Sequence, residues 1–175
     1  MTRCRRGPQV GKRSGKMEEV LQLLAGDARL TAAQIAERTG RNEGEVAEAV
    51  KKLEAAGVIR RYKTVIDWEK AGTEHVYGFI EVRVSPERGV GFDAVAERIM
   101  QFPEVHSLYL MSGTYDLLVV VEGKSMREVA FFVAEKLAPL EHVLSTGTHF
   151  VLKRYKVDGD VLVERQEPKR LPVTP

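Results

Sequence analysis

The chain has one cysteine, Cys4, in 175 residues. No disulfide can form within it, which points to a reducing, cytoplasmic setting. No apolar run approaches the roughly 18–20 residues of a membrane span, and the start lacks an apolar signal-peptide core. The four histidines, His75, His106, His142 and His149, show no metal-ligand spacing with Cys4 or with each other, so no metal or cofactor is expected. No activated nucleophile stands beside a general base in the pattern, which makes an enzyme the least favoured class. Acid is missing from residues 1–16, which carry Arg3, Arg5, Arg6, Lys12, Arg13 and Lys16 among Gly, Pro and Ser. That composition predicts a disordered basic arm. Two readings stand for it: added attraction to phosphates, or an extension ahead of a functional start at Met17.

What is present is enough for real cores, since 43% of the residues are apolar and 30% are charged. The most ordered pattern lies in 105–122. Val105, Ser107, Tyr109 and Met111 alternate with His106, Leu108 and Leu110. After Ser112-Gly113-Thr114 the alternation resumes through Tyr115, Leu117, Val119 and Val121. Two such runs around a short Gly-bearing turn predict a β-hairpin. Asp116 interrupts the apolar wall at the mouth of the turn, where its side chain can tie down the hairpin backbone.

The flanks of the hairpin are symmetric. Val76, Gly78, Ile80, Val82 and Val84 share one face of a strand, and Tyr77 and Phe79 open the other. Both faces are partly apolar, so helices are expected on one side and another subunit on the other. Phe92, Val95, Ala96, Ile99 and Met100 predict a covering helix that stops near Pro103. Ser125 to Glu128 caps a second helix, with Val129, Phe132, Val133 and Leu137 inward and Pro139 as the stop. Leu144, Thr146, Thr148, Phe150 and Leu152 alternate along a last strand. The order βαββαβ over 75–157 is that of a ferredoxin-like sandwich, and the polar, Pro-containing stretch 158–175 is expected to be a loose tail.

Ahead of this domain, 17–66 reads as three helices and a wing. Met17, Val20, Leu21 and Leu24 share a helical face. Thr31 to Gln34 forms a capping box and Gly40 a left-handed stop. Asn42 to Glu45 repeats the capping pattern for a third helix, which buries Val46, Ala49, Val50 and Leu53 and closes at Gly57. The tight turn between the second and third helices makes a helix-turn-helix. Residues 58–66 alternate like the strand of a wing, and 67–74, with Trp68 and Gly72, read as a hinge. The unit is too small to bury much surface alone, so it is expected to dock on or pair with a second copy. The fold class is therefore α+β.

The segments 26–40, 53–67, the Gly-Thr-Tyr-Asp turn 113–116 and 145–156 give the chain, from about Met17 to Lys156, the look of a known family. It resembles the Lrp/AsnC transcriptional regulators. The resemblance implies cytoplasmic DNA-binding dimers, often assembled into tetramers or octamers, whose second domain senses an amino acid or related effector. It further implies that the turn and the last strand border an effector pocket between dimers. The expected effector residues are Ser112, Gly113, Thr114, Tyr115, Asp116, Thr146 and Thr148. Double-stranded DNA is expected to meet Arg41, Asn42, Glu43, Glu45, Ala47, Glu48, Lys51, Lys52 and Arg60.

The third helix departs from the family pattern, which has a Ser cap and an Arg where this chain has Ala49. Over 42–56 it carries Glu43, Glu45, Glu48 and Glu54 against Lys51 and Lys52, a net −2. Residues 17–63 hold 8 basic and 8 acidic side chains, so no strong positive field draws this unit to phosphates. Two other functions remain open. One is an effector-sensing partner that has lost DNA binding, with the acidic helix merely solvated. The other is a siroheme-decarboxylase-like enzyme, which Gly57 to Tyr62 resembles.

Overall fold

The structure, a computed structural model, describes residues 14–73, 75–85 and 91–163. The chain divides into two compact units between Thr64 and Val65.

The first unit has helices α1 (Ser14–Gly26), α2 (Ala32–Thr39) and α3 (Glu43–Ala55). Val20, Ile35, Ala36 and Val46 are its buried centre, and Leu23, Leu24, Leu30 and Val50 pack around them. Helix α1 starts three residues ahead of Met17, so the expected arm is shorter at its inner end; residues 1–13 lie outside the described part. Its packed stripe is Val20, Leu23 and Leu24, and Leu21 stands beside it half-buried. The Thr31–Gln34 box forms with both of its hydrogen bonds, and Gly40 ends α2 at φ +64°.

Two expectations for this unit change. Asn42 caps α3, but its Oδ1 accepts from Gly44 N at 2.8 Å, one residue short of the Glu45 expected for a reciprocal box. The short Asn side chain turns back on the nearer amide, as Asx turns do. Residues 58–66 form no strand. Their alternation is real, but the described residues offer them no ladder partner, and Val58, Tyr62, Val65 and Ile66 stay exposed. An extended stretch becomes a strand only when its N–H and C=O groups find another.

The second unit holds β1 (Val76–Val84), α4 (Asp93–Ile99), β2 (Val105–Leu110), β3 (Leu117–Gly123), α5 (Met126–Phe132) and β4 (Val143–Phe150). Its sheet runs β2-β3-β1-β4 with every pairing antiparallel. Ile80, Val82, Leu117, Val119 and Val121 bury one face under Val95, Ile99, Val129, Phe132 and Leu137 from the helical segments. Each side chain so buried contributes about 1.5–3 kcal/mol. Gly78 serves close approach here: a Cβ on it would stand 2.9 Å from Val129 Cγ1. Past Phe132 the helix widens into a π-helical turn, Val133–Leu137, where Ala138 N donates to Val133 O at 2.8 Å. Val133 and Leu137 stay inward through it, as their spacing predicts.

Two bulges shift the alternation. The first, between Val105 and Ser107, puts Val105 and Leu108 against the same core. The second, between Arg83 and Val84, pairs Val84 with Val143 and leaves Leu144 67% exposed. Strand β4 ends at Phe150, so Leu152 is outside it and 87% exposed. The chain past Lys156 is not all loose. A small hairpin pairs β5 (Lys156–Val157) with β6 (Asp160–Val161) across Asp158 (φ +48°) and Gly159 (φ +96°). Asp-Gly is a sequence suited to such a turn. Residues 164–175 lie outside the described part. In the expected hinge, Trp68 stacks on His75 with ring centroids 4.4 Å apart, and His75 Nδ1 meets Glu122 Oε1.

Candidate functional site

The expected site residues fall into two groups. The first lies on α3. Val46 and Leu53 are buried, and Ala47, Ala49 and Val50 are half-buried. At 100° per residue, Gly44, Glu48, Lys51 and Ala55 fall opposite that stripe, and all four are exposed. Glu45 and Lys52 flank them on one side, also exposed, while Glu43 in the first turn is exposed on the side of the buried stripe. Arg41 is half-buried in the turn before α3, while Asn42 is committed to its cap. Arg60, just after the helix, is exposed, and its guanidinium lies 3.4 Å from where a Cβ on Gly57 would stand. The exposed cations and carboxylates thus alternate along one surface, so no single-sign field is built there.

The second group is the hairpin turn. Ser112, Gly113 and Thr114 are exposed, and Tyr115 and Asp116 are half-buried. Gly113 sits at φ +143°, a backbone region that side-chain-bearing residues rarely enter. Asp116 N donates to Val82 O at 3.1 Å, and Asp116 Oδ2 accepts from Val84 N at 2.9 Å. The carboxylate thereby extends the β1–β3 ladder one step ahead of the start of β3. Arg83 Nε donates to Thr114 O at 2.7 Å, clamping the turn from the neighbouring strand. Arg83 was not among the expected residues. It comes to the turn through the β1–β3 register, which a single sequence does not reveal.

Thr146 pairs with Val82 and Thr148 with Ile80 across the β1–β4 ladder, so both share the helix-covered face. Val82 pairs on its other side with Leu117, the residue after Asp116. Strand β1 therefore separates the two threonines from the turn by two strand spacings, about 9.5 Å. The structure gathers Ser112 to Asp116 with Arg83 and does not bring Thr146 or Thr148 to them within one chain. Beside the last hairpin pair, Leu110 and Leu117, an open apolar hollow of about 340 Å³ is lined also by Phe92, Met100 and Leu108. Among the described residues, no cluster of His, Cys, Asp or Glu could hold a metal, and no helix is long and apolar enough to cross a membrane.

A three-helix unit with an exposed third helix, followed by a ferredoxin-like sandwich, defines a DNA-binding regulator with a small-molecule domain. Residues 14–60 match the winged helix-turn-helix DNA-binding model, and 78–161 match the Lrp/AsnC ligand binding domain. The uncharacterized HTH-type transcriptional regulator YugG of Bacillus subtilis is 48% identical over 94% of this chain and 99% of its own. An HTH-type transcriptional regulator of Pyrococcus horikoshii is 33% identical over 74% of this chain and 79% of its own. A Neisseria meningitidis transcriptional regulator solved with L-Met superposes with a TM-score of 0.65 at 25% identity, covering 82% of this chain and 92% of that one. The chain belongs to the Lrp/AsnC family of transcriptional regulators. These matches do not favour the siroheme-decarboxylase-like reading.

Proposed function

We propose that the protein binds an α-amino acid at the 112–116 turn, completed by a second copy, and that binding shifts its assembly and hence its grip on DNA. The observation that supports this most is the state of Asp116. One carboxylate oxygen is held by Val84 N, and Oδ1 accepts nothing among the described residues. A desolvated ammonium needs such a partner. Arg83 at 2.7 Å from Thr114 O brings a guanidinium to the same turn, where it joins Ser112, Thr114 and the turn amides as partners for the carboxylate. Leu110, 61% exposed at the end of β2 beside the turn, favours an apolar side chain on the effector, and the L-Met bound by the Neisseria regulator accords with that choice. Thr146 and Thr148 enter this pocket only from a neighbouring copy. Strand β4 lies at the sheet edge, which leaves it open to such a neighbour.

DNA is met by α3, with Arg41, Lys51, Lys52 and Arg60 on phosphates and Glu48 toward base edges, while Ala47 and Glu43 fall on the side of the buried stripe. The copies join through the open sheet face that carries Phe79, 39% exposed, and Tyr109, 52% exposed. A second copy also supplies residues 58–66 with the ladder partner that the described residues do not offer. Titration of DNA from the protein's own promoter tests the reading. With about 6 phosphate contacts per dimer, log K falls against log salt with a slope near −5, and an amino acid changes the midpoint. Failure to bind that DNA at low salt, with or without amino acids, supports instead a sensing partner that has lost DNA binding.

A further inference from the structure

The outward edge of α3 carries a carboxylate where a DNA-binding helix gains most from a cation. Glu48 is exposed at the middle of that edge, between Gly44 one turn before and Lys51 one turn after. It makes no hydrogen bond or ion pair with Lys51, Lys52 or any other described residue. Gly44 has no side chain to hold the helix off a groove, so this edge can approach base pairs closely. A carboxylate brought there enters the negative field of the phosphates and opposes binding unless it meets a hydrogen-bond donor.

An ionised carboxylate only accepts. In the major groove the base-edge donors are cytosine N4 and adenine N6. Beside adenine N6 stands N7, an acceptor that repels a second carboxylate oxygen. Cytosine presents N4–H with only a C–H next to it. Guanine and thymine offer this position no donor at all.

We infer that Glu48 is a specificity-determining residue that accepts a hydrogen bond from the N4 amino group of one cytosine in each half-site. Lys51 and Lys52, three and four residues on, hold the flanking phosphates and offset the charge of Glu48. The inference rests on α3 as the reading helix. The acidic face then contributes selectivity while the cations contribute attraction.

Selection from a random duplex library with the full chain, Glu48→Gln, Glu48→Ala and Lys51→Ala tests it. Wild type fixes one half-site position as cytosine, by about tenfold over other bases. Glu48→Gln moves that position alone toward adenine, because a glutamine amide both donates to N7 and accepts from N6. Glu48→Ala relaxes the same position and leaves the others unchanged. Lys51→Ala weakens binding on all sequences alike. The inference is overturned if Glu48→Ala and Glu48→Gln tighten binding on every sequence equally without altering any position. If neither Glu48 nor Lys51 substitutions change affinity or preference, α3 is not the reading helix, and both readings fall. Circular dichroism of each variant confirms the fold, which an exposed side chain without partners does not support.

Discussion

Asp116 Oδ2 lies 2.9 Å from Val84 N, so the aspartate of the turn completes the ladder between the two central strands. In the proposed function the same carboxylate also receives the effector's ammonium, and two substitutions separate the two roles. Asp116→Ala leaves the Val84 amide without its acceptor and lowers stability by about 1–3 kcal/mol. Asp116→Asn keeps an oxygen for that amide and costs less than about 1 kcal/mol. Urea unfolding of the two variants beside the wild type reads the difference directly.

Gly78 lies under α5, where a Cβ would stand 2.9 Å from Val129 Cγ1 and 3.2 Å from Val121 Cγ2. Gly78→Ala forces those buried neighbours aside and destabilises by about 1–3 kcal/mol. Adding Val129→Ala to Gly78→Ala makes room for the methyl group. A double-mutant cycle by urea unfolding then shows the double mutant losing less than the sum of the two single losses.

Lys136 Nζ pairs with Glu104 Oε1, and Glu104 Oε2 is buried without a partner among the described residues. The adjacent ammonium holds the Glu104 carboxyl below its usual range, against a smaller opposing push from burial. The folded chain therefore takes up this proton less readily than the unfolded chain does. The pair's contribution is present above about pH 4.3 and is lost as pH falls through the lower folded value. Unfolding midpoints from pH 7 to pH 3 show this loss in the wild type and a flatter profile in Lys136→Met.

Phe79 and Tyr109 stand exposed on the sheet face that carries no helix among the described residues. Light scattering at micromolar concentration gives a dimer or a larger assembly, and Phe79→Asp shifts it toward monomer. A wild-type monomer contradicts the proposed use of that face.

The alternation of apolar residues revealed every major strand of the second unit, because a sheet with one buried face imposes a period of two. It placed Ile80, Val82, Leu117 and Val119 inward, where they are. Bulges hid the exposure of Leu144, since an extra residue changes phase without changing composition. The same alternation misled at 58–66, where pattern alone carries no information about a pairing partner. Asp116 stood out as a polar break in an apolar wall. Arg83 did not, because its role depends on the strand register that sets the Thr114 carbonyl beside it.

The proposed function requires that the 112–116 turn take an amino acid. Isothermal titration of the twenty amino acids into wild type and Asp116→Asn addresses this most directly. Heat of binding is expected for one or a few apolar amino acids in the wild type. An affinity at least about tenfold weaker is expected in Asp116→Asn, whose fold and dimer persist. Equal affinity in the two proteins would contradict it, leaving Asp116 as the residue that closes the β1–β3 ladder and nothing more.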